Sequence, residues 1–284
     1  MNHSPAIIVH GGAGSIPEDI LAPMLEGCRK AALEGWRVLD AGGSALDAVE
    51  QAAIFLEDDP LFNAGTGSTL NLLGEIEMDA AIMDGHTLAV GAVAAVSRIK
   101  NPIRLARKVM EDGRHVFLAA DGALRFAREA GIPECSPETL LVEARKKHWE
   151  KTHGTIGCVA FDRSGAIAAG TSTGGIFDKL PGRIGDSALP GCGTYACETG
   201  GVSCTGNGEA IIRTVLAKTA VEFLLGGSGP GEAARKSVAF LEKKTGAKAG
   251  LILIDREGRI GYYRNTERMP VCLISGHNEI VTDC

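Results

Sequence analysis

The chain has 284 residues, of which 45% are hydrophobic and 23% are charged, and its formal net charge is -6. These values are typical of a globular protein with a large buried core, and the sequence lacks the roughly 18 consecutive apolar residues of a membrane-spanning helix. A negative charge without a cluster of basic and aromatic residues argues against a nucleic-acid partner.

Glycine is the compositional outlier, with 38 residues, against an average usage of about 7%. The glycines are scattered without a period, which predicts many tight turns and close backbone approaches. The 8 cysteines form no CxxC pair, and the N-terminus has no secretory apolar segment. We therefore expect reduced thiols in a cytoplasmic protein.

The first half of the chain alternates short apolar runs with helical patterns. A buried strand is predicted at residues 6–9, where the apolar run stops at a glycine loop, residues 10–14 (HGGAG). Ser44 is a candidate helix N-cap, and Asp47 completes an approximate capping box. The predicted elements are helices at about 18–40 and 44–58, an ordered loop at 58–67, strands at about 75–83 and 90–97, and helices at about 102–112 and 121–130.

A change of composition at residues 133–153 divides the chain. Two prolines precede a charged, helix-prone stretch with little apolar periodicity, which we interpret as a surface linker. The second half is predicted to have strands at 155–161, 166–171, 194–198, 202–205, 250–254, 260–264 and 271–274, and helices at 208–225 and 230–244. Paired strands and paired helices favour a layered sheet sandwich with helices outside.

Three threonine-glycine elements lie in the second half, at residues 154–155 (GT), 171–175 (TSTGG) and 205–209 (TGNGE). Between the last two, residues 181–187 (PGRIGDS) place an arginine and an aspartate three positions apart in a loop. This set is what a threonine nucleophile with a small amino-acid substrate would need.

A serine hydrolase is one alternative, because residues 170–174 (GTSTG) match the nucleophile elbow around Ser172. The HGGAG loop resembles an esterase oxyanion loop, and Asp255 and His277 follow in the required order. Against this alternative, an elbow serine is followed at once by a helix, whereas Pro181 and a glycine turn follow here.

A threonine at a newly made N-terminus is the other candidate nucleophile. A threonine hydroxyl needs a nearby base, and a free α-amine, with an ordinary pKa of about 7.7–8.0, can serve if the chain is cut before Thr155. Gly154 has no Cβ, so it can take the strained geometry in which the Thr155 hydroxyl reaches the preceding carbonyl. A single Gly-Thr pair is weak support, and the surrounding motifs give it weight.

With these motifs, the sequence resembles the plant-type L-asparaginase / isoaspartyl peptidase family of N-terminal-nucleophile hydrolases over nearly its whole length. The motifs that carry the resemblance are residues 9–14 (VHGGAG), 56–65 (LEDDPLFNAG), 78–80 (MDA), 154–157 (GTIG), 171–175 (TSTGG), 181–187 (PGRIGDS) and 202–209 (VSCTGNGE).

The resemblance implies an α+β fold of four αββα layers and a precursor that cuts itself between Gly154 and Thr155. Residues 1–154, including the linker at about 133–154, would become an α chain, and residues 155–284 a β chain. The two chains would remain one structural domain, and the assembly would be a dimer of autocleaved αβ units. The implied reaction is hydrolysis of L-asparagine or of β-aspartyl dipeptides through an aspartyl ester on Thr155, with no cofactor for catalysis.

Residue roles also follow from the resemblance. Thr155 would be nucleophile and base, Thr173 would orient it, and the Thr205 hydroxyl with the Gly206 amide would form the oxyanion hole. The implied substrate-binding residues are Arg183 for the α-carboxylate, Asp186 and the Gly208 carbonyl for the α-ammonium, and Asn63 near the amine of Thr155.

A structural sodium ion is a further implication. The main-chain carbonyls that would bind it are those of Leu56, Glu57, Asp59, Phe62, Ala64 and Thr66. A well-packed Ω-loop is the alternative interpretation of this segment.

The sequence leaves open how Arg183 is paired and which activity the site has. Arg183 and Asp186 could pair with each other, and the protein could be a glycosylasparaginase-like amidase or a non-cleaving amino-acid-binding relative. One departure from the family pattern is Asp178, which stands where many relatives have asparagine.

Overall fold

The computed structural model describes residues 3–142, 154–276 and 279–284. Its strands are β1 (Ala6–His10), β2 (Met78–Asp84), β3 (Val90–Val96), β4 (Phe117–Ala119), β5 (Ile156–Phe161), β6 (Ile167–Thr173), β7 (Thr194–Cys197), β8 (Gly200–Gly206), β9 (Ala249–Asp255), β10 (Ile260–Arg264), β11 (Val271–Ser275) and β12 (Glu279–Asp283). Its helices are α1 (Glu18–Asp40), α2 (Ala45–Asp58), α3 (Pro102–Asp112), α4 (Ala120–Glu129), α5 (Pro137–Leu140), α6 (Gly208–Thr214), α7 (Leu216–Leu225) and α8 (Pro230–Thr245).

The strands form two sheets. The larger has eight strands in the order β12-β11-β1-β5-β6-β2-β3-β4, and the smaller has four in the order β10-β9-β8-β7. All the neighbouring strands pair antiparallel except β3 and β4, which are parallel. Within the larger sheet, β1 therefore lies between two strands that come much later in the chain.

Alternation along β5 shows how the layers are built. Ile156 and Cys158 face a core shared with α1, α2 and α3, whereas Val159 and Phe161 face residues of the smaller sheet such as Ile252. A third core lies between β8 and β9 and the helices α6, α7 and α8. Three cores separate four layers, which confirms the α+β fold with αββα layers.

Most predicted elements are confirmed within a few residues, and Ser44 accepts a hydrogen bond from Asp47 N as the N-cap of α2. The single helix predicted at 208–225 is wrong, because α6 and α7 are separate helices joined by Val215 at φ 47°. The amides of Ala217 and Lys218 donate to the carbonyls of Cys192 and Gly191, at 3.0 and 2.9 Å, in the loop before β7 and not in α6.

Two short strands were not predicted. β4 has three residues, and β12 is exposed along its whole length, so neither carries an apolar period that a sequence pattern could reveal. Of the predicted linker, residues 143–153 lie outside the described part of the chain. In the described residues, no helix has the length and apolarity needed to cross a bilayer.

Candidate active site

The predicted nucleophile stands at the start of β5, next to the end of β6. Ile156 pairs with Ser172 in the antiparallel β5–β6 ladder, and this register brings Thr155 beside Thr173. The Thr155 hydroxyl donates to the Thr173 hydroxyl with 3.3 Å between the oxygens. Thr155 is only 8% exposed, so the predicted pair lies in a largely desolvated site.

The carbonyl of Gly154 is held by two donors. Asn63 Nδ2 lies 2.8 Å from this oxygen, and the Thr173 hydroxyl donates to it at 3.1 Å. Asn63 is itself fixed, since its Nδ2 also donates to Gly175 O at 2.7 Å and its Oδ1 accepts from Thr69 N at 2.8 Å. If the chain is cut before Thr155, the carbonyl under attack is that of Gly154, which two protein groups already polarise.

The HGGAG loop packs directly against this peptide bond. Gly12 has φ +105°, and a Cβ there would come within 3.0 Å of both Gly154 Cα and Thr155 N. A side chain at this position would be strained and would collide with the backbone. Glycine at residue 12 therefore allows the loop to close over the site.

The same loop connects the predicted nucleophile to the predicted oxyanion hole. Ala13 N donates to the Thr205 hydroxyl oxygen at 3.0 Å. Because that oxygen accepts from the loop, its own proton remains available to donate elsewhere. Gly206 follows at φ +131°, another backbone conformation that favours glycine.

His10 precedes this loop and has a structural place beneath it. Burial lowers the pKa of its ring to about 3, so the imidazole is neutral. Gly12 N donates to Nδ1 at 3.3 Å, and the ring therefore donates from Nε2 to Ser203 Oγ at 3.0 Å. This contact with Ser203 on β8 ties the HGGAG loop to the smaller sheet.

Arg183 and Asp186 lie together as predicted, but they do not use up each other's hydrogen-bonding groups. Arg183 Nε donates to Glu209 Oε1 at 2.9 Å, whereas Nη2 of Arg183 and Oδ2 of Asp186 are buried without a hydrogen-bond partner among the described residues. A Cβ on Gly208 would lie 2.6 Å from Arg183 Nη2 and 3.0 Å from Asp186 Oδ1. The predicted alternative of a simple Arg183–Asp186 ion pair is therefore wrong.

These two groups have the charges needed to bind the carboxylate and the ammonium of an amino acid, and we call the pair of Arg183 and Asp186 the receptor. A guanidinium nitrogen can take a carboxylate, and a carboxylate oxygen can take an ammonium. Burial raises the pKa of Asp186 to about 7, with the Arg183 charge acting in the opposite direction. A cation bound beside Asp186 would favour its ionised form.

Ser172 is on the wrong face of the sheet to share this site. Its hydroxyl donates to Glu57 Oε1 at 2.7 Å, among the helices that cover the larger sheet, and the residue is fully buried. Successive residues of a strand point to opposite faces, so Ser172 points away from Thr173. The serine-hydrolase alternative is therefore wrong, and His277, its predicted base, lies outside the described residues.

The predicted sodium loop is closed by its own hydrogen bonds. The carbonyl of Glu57 accepts from Thr66 N at 2.7 Å, and that of Asp59 accepts from Phe62 N at 3.1 Å. Each carbonyl oxygen has a second lone pair, so these bonds leave room for an ion. Residues 3–142, 154–276 and 279–284 contain no cluster of three or more His, Cys, Asp or Glu residues that could hold a metal ion.

The sequence did not single out Glu209 or Lys179 as site residues. Glu209 belongs to the TGNGE element, and its contact with Arg183 spans 26 positions of the chain. Lys179 is 2% exposed, and its Nζ donates to Gly174 O at 3.0 Å, next to Thr173. Glu209 lies inside a motif already noted and Lys179 lies between two of them, but no pattern in the sequence specified a partner for either.

Comparisons with known proteins find relatives along nearly the whole chain. A family model described as asparaginase matches residues 3–153 and 150–282. The chain is 48% identical over 290 aligned positions to a plant-type L-asparaginase of Pyrococcus furiosus, covering 93% of this chain and 94% of the relative.

Two further relatives come from different kinds of organism. A plant-type L-asparaginase of Pyrococcus abyssi is 46% identical over 300 positions, with 96% of this chain and 98% of the relative covered. An isoaspartyl peptidase/L-asparaginase of Mus musculus is 46% identical over 271 positions, with 90% of this chain and 83% of the relative covered. The sequence identities to relatives with the two different names are nearly equal, so identity alone does not favour one name over the other.

Proposed function

Because the chain belongs to the asparaginase family, we propose that it is an autoprocessing threonine amidohydrolase that converts L-asparagine to L-aspartate and ammonia and also cleaves β-aspartyl dipeptides. The observation that carries the proposal is the arrangement around Gly154 and Thr155. The Thr155 hydroxyl touches Thr173, and the neighbouring carbonyl is held by Asn63 and Thr173.

Self-cleavage is the first step of the proposal. The Thr155 hydroxyl oxygen attacks the Gly154 carbonyl carbon, the peptide C–N bond breaks, and the hydroxyl proton ends on the departing nitrogen of Thr155. The Asn63 amide and the Thr173 hydroxyl stabilise the negative oxygen that forms on the way, since both already donate to it. The product is an ester between Gly154 and the Thr155 oxygen, with the α-amine of Thr155 now free. Water hydrolyses this ester, which gives a Gly154 carboxylate and restores the Thr155 hydroxyl.

Turnover uses the same oxygen with that amine as base. The hydroxyl attacks the side-chain carbonyl of asparagine or of a β-aspartyl peptide, and ammonia or an amine leaves. The Thr205 hydroxyl and the Gly206 amide stabilise the oxyanion, a contribution of about 2.7–4 kcal/mol for one such donor in other hydrolases. Water then releases aspartate, and the chemistry needs no cofactor.

Substrate binding rests on the groups that the protein leaves unpaired. Arg183 binds the α-carboxylate, and Asp186 with the Gly208 carbonyl binds the α-ammonium of the same aspartyl group. Glu209 occupies Arg183 Nε and thereby turns the other guanidinium nitrogens toward the substrate. Asparagine and β-aspartyl dipeptides present the same group to this pair, which is why we propose both as substrates.

The wider organisation is proposed on the same basis. Cleavage gives an α chain of residues 1–154 and a β chain of residues 155–284, which together form one structural domain and assemble as a dimer of αβ units in the cytoplasm. The 8 free cysteines fit that compartment. A sodium ion held by the carbonyls of residues 56–66 would stiffen this loop and would take no part in the reaction.

Intact mass under denaturing conditions, on fresh and aged protein, tests the proposal together with an assay of ammonia release from asparagine. We expect two fragments, the second beginning at Thr155, and Thr155→Ala is expected to remain one inactive chain. Ser172→Ala is the matched control, a hydroxyl on the opposite sheet face, and should still be cut. A wild-type chain that stays intact and releases no ammonia would favour the amino-acid-binding alternative.

A further inference from the structure

The loop that carries Arg183 and Asp186 is held at two backbone positions by acidic side chains next to or within β2. Gly185 N donates to Asp79 Oδ2 at 2.8 Å, and Gly182 N lies 3.0 and 3.1 Å from the two carboxylate oxygens of Glu77. The two anchored glycines bracket Arg183, and Asp186 follows directly. The position of both substrate-binding side chains therefore depends on these carboxylates.

Asp79 is the more rigid of the two anchors. It is fully buried, and its second oxygen, Oδ1, accepts from Ala95 N on β3 at 2.9 Å. The β2–β3 register shifts between Met78 and Ala80, and Ala95 is at φ 49°, so the strand is bent in a way that turns its N–H toward the carboxylate. Local strain of this kind persists only where surrounding contacts enforce it.

The backbone of Asp79 is just as closely tied to the reaction centre. Asp79 pairs with Thr173 across the β2–β6 ladder, and Thr173 contacts the nucleophile. One residue thus connects the strand end that orients Thr155 to the loop that carries the amino-acid receptor.

Charge adds to these contacts. Burial raises the pKa of Asp79, while the Lys179 and Arg183 cations and the two backbone donors act in the opposite direction. Lys179 is held by Gly174 O, one residue beyond Thr173. The Asp79 carboxyl therefore faces one cation near the nucleophile and one in the receptor.

We infer that Asp79 is a positioning residue that sets the distance and orientation of Arg183 and Asp186 relative to Thr155. The inference rests on the proposed substrate-binding role of that pair and deepens it. Asp79 acts through the backbone of Gly185 and does not touch the substrate. Its replacement should weaken binding of the aspartyl group while leaving the chemical step and self-cleavage in place.

The test is Asp79→Asn, measured by steady-state kinetics on L-asparagine and by intact mass. The amide keeps the size of the carboxylate, but one oxygen becomes an NH₂ group that faces a backbone donor. We expect KM to rise about tenfold or more while kcat changes less than about threefold, because uniform binding is lost and the Thr155 surroundings are kept. Cleavage before Thr155 should still go to completion.

Asp84→Asn is the matched control. Asp84 ends the same strand, and its carboxylate accepts a backbone hydrogen bond from His86 N at 2.9 Å and one from the Thr87 hydroxyl at 2.7 Å, away from the receptor loop. We expect this control to have an unchanged KM. An equal rise in KM for both variants would mean that any weakening of β2 has this effect, and would overturn the inference.

A double-mutant cycle separates positioning from general damage. In an Arg183→Lys background, where the receptor has already lost its guanidinium, adding Asp79→Asn should raise KM less than about threefold further. Effects that multiply fully would show that Asp79 acts independently of Arg183. An unchanged KM in the single variant, or a fall in kcat alone, would equally contradict the inference.

A second background allows the test to proceed even if Asp79→Asn alone does not fold. If Asp79→Asn does not accumulate as folded protein, the variant is repeated in an Ala95→Gly background, where glycine relieves the φ strain and keeps the N–H that Asp79 binds. The KM of the double variant is then compared with that of Ala95→Gly alone, and the same rise of about tenfold or more is expected. An uncut, inactive wild-type protein would refute the proposed function, whereas an active wild type with an unchanged Asp79→Asn refutes only this inference.

Discussion

The hydroxyl of Thr173 has one proton and three close neighbours. It donates to Gly154 O, and it accepts from the Thr155 hydroxyl and from Gly175 N at 2.9 Å. Because Thr173 uses its single proton in the hydrogen bond to Gly154 O, it can only accept a hydrogen bond from the Thr155 hydroxyl. The lone pairs of the Thr155 oxygen are therefore not used in this contact. A serine here would offer the same groups, whereas valine would offer none.

The sequence indicated the side chains proposed to react or to bind substrate more readily than those that hold the backbone in place. The sequence drew attention to four residues because they carry the hydroxyl and charged groups that the proposed reaction needs: Thr155, Thr173, Arg183 and Asp186. Asp79 was noted only as part of a motif, since its partners are amide groups that every residue carries. Positioning of this kind depends on register and loop path, which a single sequence does not display.

The buried carboxyl of Glu57 accepts two hydrogen bonds on the same oxygen. Oε1 accepts from Ser172 Oγ at 2.7 Å and from Ile103 N at 3.0 Å, while Oε2 is buried with no hydrogen-bond partner among the described residues. Burial raises the pKa of this carboxyl to about 8, against an ordinary value of about 4.3. Glutamine can keep both bonds without carrying a charge.

The pH dependence follows from that shift. Between about pH 4.3 and 8 the folded protein retains a proton that the unfolded chain loses, so Glu57 makes the free energy of unfolding fall as pH rises through this window. Glu57→Gln removes this loss, and its advantage over the wild type should grow by a few kcal/mol (~2–4) between pH 5 and pH 8. Urea unfolding at both pH values measures the difference.

The control for this prediction is Glu242→Gln, an exposed glutamate on α8. Its effect on unfolding should be small and equal at both pH values. An advantage of Glu57→Gln that does not change with pH would mean that the Glu57 carboxyl titrates alike in the folded and unfolded chains.

At the scale of elements, the helix–helix junction at Val215 departs most clearly from its pattern. Residues 208–225 have a nearly continuous helical pattern, yet the chain turns at Val215 so that the α7 amides can bind the loop at residues 191–192. Tertiary hydrogen bonds decide the break here, and helix propensity alone gives no sign of them.

Val215→Asn is therefore expected to stabilise the protein. A β-branched residue is a clear outlier at φ 47°, asparagine adopts this conformation at lower cost, and the 44% exposure of Val215 means that little packing is lost. The gain should be about 1 kcal/mol, read from thermal or urea unfolding. Val116→Asn is the control, since Val116 is 57% exposed and has no positive φ; a gain there of equal size would refute the strain argument.

The sequence predicted where most strands lie, but it did not predict which strands are neighbours in a sheet. The β5–β6 hairpin follows from two apolar runs joined by a glycine turn at residues 162–165. The insertion of β1 between β11 and β5 joins segments more than a hundred positions apart. Local patterns give the face that a strand buries, but they do not name its neighbours.

At the scale of the whole molecule, the proposed cut does not divide the structure. Strands β1, β2, β3 and β4 precede residue 154, and they are interleaved in the larger sheet with β5, β6, β11 and β12, which follow it. β1 has both of its sheet neighbours in the second half of the chain, and β2 pairs with β6. Separating the two fragments would break at least these three ladders.

We therefore expect the two fragments of the proposed cut to remain associated. Native size-exclusion chromatography of fully cut protein should give one peak that contains both fragments, and denaturant should be needed to resolve them. The Thr155→Ala chain, which cannot be cut, should elute at the same volume and serves as the control. Fragments that separate in native buffer would contradict the interleaved strand order.

The position of the HGGAG loop has a consequence for when the enzyme can become active. Gly11 N donates to Pro270 O, and Gly14 and Arg268 exchange two backbone hydrogen bonds, so the loop against Gly154 is held by a segment near the end of the chain. A nascent polypeptide that still lacks this segment has its scissile bond but not the surroundings that activate it. The proposed self-cleavage is therefore expected only in molecules in which the HGGAG loop after β1 has already bound the segment that leads into β11.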